Sequence, residues 1–285
     1  MGNLTVWPAP AKINLFLRIN GRRADGYHEL STLFAILDRG DTMTLEPRND
    51  GIVRVFPDMG FPTESNIIFK AIKLLAEITG KNIGADVHVD KRIPMGGGLG
   101  GGSSNAATVM VALNHLMNLG LSEDELARAG RRLGADVPVF VRGRSAYAEG
   151  VGEKLTPVAI PEKWYLVVTP ENTHVSTREI FMHPDLPRNT PKMPLEDLMK
   201  NPRANDCEGL VKKIYPEVAT ALSWLLKYAP SGMTGTGASC FGEFPDEDAA
   251  VRACNSLPDN ISGFVARACN VSPLHELLGK LKAAK

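Results

Sequence analysis

The sequence has no surplus of charge of either sign. Its 285 residues include 32 lysines and arginines and 32 aspartates and glutamates, so the formal net charge is zero. A protein that attracts nucleic acid or an anionic membrane through its overall field needs a basic surplus. We therefore expect neither of these partners and look for a small-molecule ligand instead.

Cysteine is scarce and is not spaced for a metal or a disulfide framework. All four cysteines lie in the last third of the chain, at Cys207, Cys240, Cys254 and Cys269. No C-x-x-C pair and no paired histidines accompany them, so neither a zinc site nor a disulfide scaffold is indicated. We interpret them as buried free thiols, which fits a protein of the reducing cytoplasm.

Long hydrophobic runs are also missing. No apolar stretch approaches the roughly 20 residues that a membrane span requires. Residues 1–17 lack the charged start and long apolar core of a signal peptide. Val6 stands where N-myristoylation after Gly2 needs serine or threonine. The chain is 44% hydrophobic and 22% charged, a composition typical of a globular protein with one large domain or two ordinary ones.

Glycine, in contrast, is concentrated in one segment. Residues 94–104 read PMGGGLGGGSS, and six of the seven residues over 96–102 are glycine. A helical pattern follows, with apolar residues recurring on one face over 106–117. A glycine loop that leads into a helix offers free N–H groups and the positive end of the helix dipole to a phosphate. The segment therefore predicts a nucleotide or another phosphorylated ligand.

Three kinds of phosphate loop compete for this segment. A P-loop would need a lysine where Ser103 stands. A dinucleotide fingerprint matches at Gly96, Gly98 and Gly101, but the region 121–125, where its acidic residue should follow a strand, starts another helix. The third kind is a kinase loop in which serine hydroxyls and the helix N-terminus replace the lysine. A flexible linker and a ligand-free packing turn are weaker alternatives.

The pattern of strands and helices changes near residue 150. The first half begins with strands and then predicts a helix over 66–79 and another that starts at the capping box of Ser122 and Glu125 and ends at Gly134. The second half has a βααβαβ-like order typical of a small α+β sandwich, with a helical stretch broken at Pro216.

Four blocks resemble the GHMP kinase family. The glycine loop resembles the second signature of this family. One branch of the family has a first signature similar to PAPAKINLFLRINGRRADGYHEL at 8–30. That branch also matches LGADVPVFVRGRSAYAEGVGE at 133–153 and the third signature, MTGTGASCF at 233–241. The resemblance implies an α+β, two-domain GHMP kinase fold. Residues 1–155 would form an ATP-binding domain like ribosomal protein S5 domain 2, and residues 156–285 a ferredoxin-like domain on the substrate side.

Within this family, the Asp-Gly-Tyr-His segment at 25–28 is similar to the kinases whose acceptor is 4-diphosphocytidyl-2-C-methyl-D-erythritol. The resemblance implies transfer of the ATP γ-phosphate to the 2-hydroxyl of that acceptor, in the non-mevalonate isoprenoid pathway, with ATP and Mg²⁺ required. Two alternatives stay open. One is another GHMP kinase that acts on a small alcohol, and the other is a non-catalytic nucleotide-binding protein of the same fold.

The resemblance also implies roles for single residues. Asp136 would accept the proton of the acceptor hydroxyl, and Lys12 would orient that hydroxyl and stabilise developing charge. Without the resemblance, Asp136 is a turn residue and Lys12 a solvated strand residue. Asn66 is either a purine contact or a helix cap, and Gly235 and Gly237 would shape the floor between the domains.

The remaining predicted contacts fall into two groups, and the metal ligands and the oligomeric state stay open. Contacts to ATP are expected from Lys91, Pro94, Met95, Gly96, Gly97, Gly98, Leu99, Gly100, Gly101, Gly102, Ser103 and Ser104. Contacts to the cytidyl acceptor are expected from Asn14, Tyr27, His28, Thr177 and Phe181, with aromatic rings stacking on the cytosine.

Overall fold

Two long antiparallel strands form the centre of the structure. A computed structural model describes residues 5–58 and 60–284, and in it β1 (Val6–Arg22) pairs with β2 (His28–Arg48) along most of both strands, with irregularities in the register. From Ala9 to Leu17 every residue of β1 is buried. Other elements cover both faces of this strand, so burial does not alternate along it.

The rest of the first half extends this pair. Strand β4 (Gly84–Asp90) joins one part of β2, and β3 (Val53–Phe56) adds to β4 in parallel. Strand β5 (Ala146–Gly150) pairs with the start of β2, and β6 (Lys154–Pro157) pairs with β5. The helices between them are α1 (Ile67–Thr79), α2 (Gly101–Leu116), α3 (Glu123–Gly130) and α4 (Val137–Arg142).

The second half adds its own antiparallel strands to the same sheet. Its strands are β7 (Trp164–Pro170), β8 (Ser231–Met233), β9 (Cys240–Phe244) and β10 (Ile261–Cys269). The main path through the sheet runs β3-β4-β2-β10-β7-β9-β8. The helices are α5 (Thr177–Met182), α6 (Leu195–Leu198), α7 (Glu208–Ile214), α8 (Pro216–Leu225), α9 (Glu247–Cys254) and α10 (Pro273–Ala283).

Hydrophobic packing crosses between the two halves. Strand β10 bonds to β2 through the pairs Ala268–Leu37 and Cys269–Ile36. Leu17 of β1 lies in the core cluster of the second half, and Leu274 of α10 lies in that of the first. The mixed α+β architecture is the predicted one. The division at residues 155 and 156 stays a prediction.

Most predicted helix ends are confirmed. Helix α1 is capped by Asn66, whose Oδ1 accepts the N–H of Ile68 at 2.9 Å. The capping box of Ser122 and Glu125 is formed, and a new helix begins at Pro216. The expected end of α3 at Gly134 is wrong. The helix ends at Gly130, where a Cβ would lie 2.6 Å from Val137 Cγ1, because the chain turns back there to pack α4 against α3.

The cysteines are free thiols, as expected, but they are not equally buried. Cys207 and Cys240 are buried, whereas Cys254 and Cys269 are half-buried. Burial raises the pKa of the Cys207 thiol to about 12, so it stays protonated at neutral pH. In the part of the chain that the structure describes, no helix has the length and apolar character to cross a membrane.

The capping box gives a direct test of local stability. In it, Ser122 Oγ accepts the Glu125 N–H at 3.3 Å, and Glu125 Oε2 accepts the Ser122 N–H at 2.8 Å. Ser122→Ala should lower the free energy of unfolding by about 1 kcal/mol, because an N–H group at the helix start loses its partner. Urea denaturation measures this. Ser256→Ala removes an exposed hydroxyl that donates to the Arg252 carbonyl oxygen at 3.2 Å, outside any helix start. It is the control and should change stability by less than about 0.5 kcal/mol.

Candidate active site

One cleft of about 600 Å³ brings together most of the predicted site residues. Its walls come from β1, the glycine loop, the start of α4, helix α5 and the segment around Gly235. Lys12 and Asp136 line it, as do Lys91 and all residues from Pro94 to Ser103. Three sequence blocks that are far apart along the chain therefore share one cavity.

The glycine loop needs its glycines for both conformation and space. Gly96, Gly98 and Gly100 have φ values of 72°, 74° and 71°, in the left-handed region that other residues rarely adopt. A Cβ at Gly98 would lie 2.6 Å from the carbonyl oxygen of Thr234, and one at Gly100 would lie 2.8 Å from the ring of Phe140. The loop is packed against its neighbours by its backbone, which excludes a flexible linker.

Helix α2 begins directly after this loop with an open N-terminus. Its N-cap, Gly100, has no side chain to cap the first turn. The first N–H group that donates within the helix is that of Ser104, to the Gly100 carbonyl oxygen. The N–H groups of Gly101, Gly102 and Ser103 have no such acceptor one turn earlier in the helix, so an anion can bind them. Ser104 does not line the cleft. Its Oγ and the Oδ1 of Asn105 are buried without a hydrogen-bond partner among the described residues.

A buried carboxylate that the sequence analysis missed organises the approach to the loop. Asp41 is fully buried, and its Oδ2 accepts Lys91 Nζ at 2.6 Å. Its Oδ1 accepts the backbone N–H groups of Arg92 and Ile93 at 2.7 and 2.8 Å. Lys91 Nζ would lie 3.0 Å from a Cβ at Gly101. Asp41 thus holds the lysine beside the open end of α2.

Lys12 and Asp136 form an ion pair in the lining of the cleft. Lys12 Nζ lies 3.2 Å from Asp136 Oδ2, and the Lys12 side chain is 4% exposed against 30% for Asp136. This burial excludes the alternative of a solvated strand residue for Lys12, because β1 is covered on both faces. Asp136 is the N-cap residue of α4, but its side chain caps no N–H group. Its carboxylate is therefore available to the cleft.

Asn14 extends this pair into a hydrogen-bonded cluster. Its Oδ1 accepts Lys12 Nζ at 2.6 Å, and its Nδ2 donates to Thr32 Oγ1 at 2.7 Å. The backbone N–H of Asn14 donates to Thr234 Oγ1 at 2.8 Å. Asn14 was predicted to contact the acceptor, and the structure places it beside Lys12. The two threonines were not predicted, although Thr234 lies in the third family block; Thr32, in β2, carries no specific signal.

The predicted acceptor residues lie at two distances from the cleft. Thr177 and Phe181 line it, and Thr177 Oγ1 lies 2.9 Å from Thr236 Oγ1. Tyr27 and His28 are not among the lining residues. Tyr27 is 64% exposed near the turn between β1 and β2, whereas the buried His28 ring stacks on Phe181 with centroids 5.1 Å apart and planes at 29°.

The electrostatic setting of His28 favours its neutral form. Burial, followed by the nearby charges of Arg188 and Arg22, lowers the pKa of this histidine below its ordinary value. Arg188 Nε donates to His28 Nε2 at 3.0 Å. The ring therefore acts as an acceptor at Nε2.

Two further predictions concern Asn66 and Gly235, both of which line the cleft. Asn66 lines the cleft and also caps α1, so the capping alternative is observed. Gly235 has φ of 59°, and its Cβ would lie 3.3 Å from the Gly98 carbonyl oxygen. The two backbones approach each other closely where both glycines line the cleft.

The chain is similar to known proteins over nearly its whole length. The models of the GHMP kinase N-terminal and C-terminal domains match residues 66–144 and 182–263. Two curated relatives are named 4-diphosphocytidyl-2-C-methyl-D-erythritol kinase. The one from Mannheimia succiniciproducens is 56% identical over 96% of this chain and 91% of its own, and the one from Shewanella woodyi is 55% identical over 96% and 97%.

Solved structures agree with this assignment. The crystal structure of a 4-(cytidine 5'-diphospho)-2C-methyl-D-erythritol kinase has a TM-score of 0.79 and 35% identity, covering 92% of this chain and 98% of that one. A mevalonate kinase from Methanococcus jannaschii shares the fold, with a TM-score of 0.68 at 16% identity and coverage of 94% and 99%. The chain belongs to the 4-diphosphocytidyl-2-C-methyl-D-erythritol kinase family of the GHMP kinases.

Proposed function

We propose that this chain transfers the γ-phosphate of ATP to the 2-hydroxyl of 4-diphosphocytidyl-2-C-methyl-D-erythritol, a step of the non-mevalonate isoprenoid pathway. The observation that carries the proposal is the Lys12–Asp136 pair, which faces the same cleft as the glycine loop. The names of relatives at 55–56% identity specify the acceptor.

The triphosphate of ATP binds across the glycine loop and the open N-terminus of α2. Phosphoryl transfer depends mainly on positioning and on neutralising charge. The N–H groups of Gly101, Gly102 and Ser103 supply donors there, and the ammonium group of Lys91, held by Asp41, supplies a cation. This arrangement takes the place of the lysine that a P-loop carries in its own sequence.

We also propose Mg²⁺ as the metal, bound mainly through the nucleotide. Among residues 5–58 and 60–284 no cluster of three histidine, cysteine or carboxylate side chains could hold a metal ion. The unpartnered Oδ1 of Asn105, which lines the cleft, is a hard oxygen donor at the start of α2 and fits this ion. Mg²⁺ would neutralise charge on the phosphate oxygens.

Asp136 acts as the general base. Its carboxylate accepts the proton of the acceptor hydroxyl as the oxygen attacks the γ-phosphorus, and the bond to the β,γ-bridging oxygen breaks to release ADP. Lys12 is held between Asp136 and Asn14 at 3.2 and 2.6 Å. Its fixed ammonium group orients the carboxylate and stabilises negative charge that develops during transfer.

The cytidine end of the acceptor binds around α5 and the β1–β2 turn. Thr177 and Phe181 line the cleft, and the Phe181 ring already stacks on His28. Tyr27 is exposed next to His28 and supplies a second aromatic face for the base. Asn14 lies at the other end, beside Lys12, where the reacting hydroxyl of the acceptor must sit.

We propose the cytoplasm as the compartment, since all four cysteines are free thiols. The zero net charge supports a small-molecule acceptor rather than a nucleic acid or a membrane surface.

The acceptor assignment is tested by comparing substrates. ATP turnover should be faster by at least about a hundredfold in kcat/KM with the cytidyl acceptor than with mevalonate or homoserine, because these two alcohols lack the base that we assign to the region around Phe181 and His28. Equal turnover of all three alcohols would make the chain a different GHMP kinase. ATP binding without phosphorylation of any acceptor would support the non-catalytic alternative.

The role of the loop is tested at Gly98. Gly98→Ala should raise the KM for ATP about tenfold or more, because the new Cβ would lie 2.6 Å from the Thr234 carbonyl oxygen and the φ of 74° disfavours alanine. The control is Gly279→Ala in α10, where a Cβ meets nothing within 4 Å. It should leave the KM unchanged. An unchanged KM for ATP in Gly98→Ala would contradict binding across this loop.

A further inference from the structure

Arg188 ties the end of α5 to the start of β2. Its Nε donates to His28 Nε2 at 3.0 Å. Its two terminal nitrogens donate to four backbone carbonyl groups at 2.6–3.3 Å, those of Phe181, His183, Pro184 and Leu186. One half-buried guanidinium group thereby fixes His28 and the backbone of Phe181 relative to each other.

The hydrogen bond from Arg188 determines which nitrogen of His28 carries the proton. An arginine side chain stays charged and has only donors, so the nitrogen that it faces must be an acceptor. His28 Nε2 is therefore unprotonated, and the single ring proton of the neutral imidazole lies on Nδ1. Burial and the nearby positive charge of Arg188 both disfavour a second proton on this ring, in agreement with its lowered pKa.

The same bonds fix the position of the two rings. The His28 ring stacks on the Phe181 ring at a centroid distance of 5.1 Å. Arg188 donates both to Nε2 of His28 and to the backbone carbonyl oxygen of Phe181. Rotation of the His28 ring about its side-chain bonds would break the hydrogen bond between Arg188 Nε and His28 Nε2. The imidazole is thus held in one orientation as well as one tautomer.

We infer that Arg188 is a positioning residue that makes His28 an obligate N–H donor at Nδ1 and so sets the choice of base at the acceptor end. This inference rests on the proposed function. Cytosine presents an unprotonated N3 next to O2, so this edge offers two acceptors. Uracil carries a proton on N3, which would face the His28 donor without a partner. A fixed Nδ1–H therefore accepts a cytidyl compound and rejects its uridyl counterpart.

The tautomer can be measured without substrate. In ¹⁵N NMR spectra of the histidine rings, with the His28 signals assigned by their loss in His28→Gln, the wild-type protein should show Nδ1 protonated and Nε2 unprotonated. Arg188→Met should abolish this fixed pattern. Arg188→Gln, whose amide can donate or accept and so cannot fix the tautomer, provides a second variant if Arg188→Met fails to fold. Arg178→Met, at an exposed arginine of α5, is the control and should keep the pattern.

The consequence for specificity is measured with matched acceptors that carry cytidine or uridine. In Arg188→Met the ratio of kcat/KM for the two acceptors should fall about tenfold or more, mainly through a higher KM for the cytidyl compound, because a hydrogen bond to the base is lost and the donor mismatch with uracil is relieved. The KM for ATP should stay within about twofold. Arg178→Met should match the wild type.

Two results would overturn the inference. One is a protonated Nε2 in the wild-type spectra, and the other is an unchanged acceptor ratio in a folded Arg188 variant. Failure of the proposed function is distinguishable, since wild-type protein would then phosphorylate neither acceptor while the nitrogen spectra still report the tautomer.

Discussion

The buried ammonium group of Lys12 is the constraint on which the site depends. The charge of a side chain that is only 4% exposed is stable only where partners surround it. Lys12 finds them in Asn14 at 2.6 Å and Asp136 at 3.2 Å, and its backbone N–H donates to the Leu99 carbonyl oxygen at 3.0 Å. Strand β1, the glycine loop and the start of α4 must all converge on this side chain.

This convergence explains why sequence blocks that are far apart belong to one site. A Cβ at Gly100 would lie 3.2 Å from Lys12 Cε, so the loop passes directly over the lysine. Thr234, in the third block, accepts the Asn14 N–H and lies against Gly98. Each block supplies a small residue or a short polar side chain at the point of closest approach. The base, the cation and the phosphate-binding backbone are thereby held in fixed relative positions.

Features that depend on neighbours along the chain could be predicted from the sequence. The caps at Asn66 and Ser122 and the helix start at Pro216 follow from local backbone chemistry, and the structure confirms them. The family was recognisable because its signatures are local runs of residues. The early end of α3 at Gly130 could not be predicted, since it results from the packing of α4 against α3.

Residues that act through distant partners gave no sequence signal. Asp41 lies in an ordinary strand segment, and its role appears only when β2 brings it against Lys91. Arg188 lies in a proline-rich loop without resemblance to the family blocks, and its contact with His28 spans 160 residues. The same limit applies to Lys12, whose burial could not be inferred without the family resemblance, because the burial of a strand depends on elements that pack on it later in the chain.

The central claim is that Lys12 and Asp136 act as one catalytic unit, and a double-mutant cycle on kcat tests it most directly. Lys12→Met and Asp136→Asn should each lower kcat by at least about a hundredfold. The double variant should be close to the more damaging single one, because either change already disables the unit. Circular dichroism melting confirms that each variant is folded. If the two losses instead multiply in the double variant, the residues act independently and the account is contradicted.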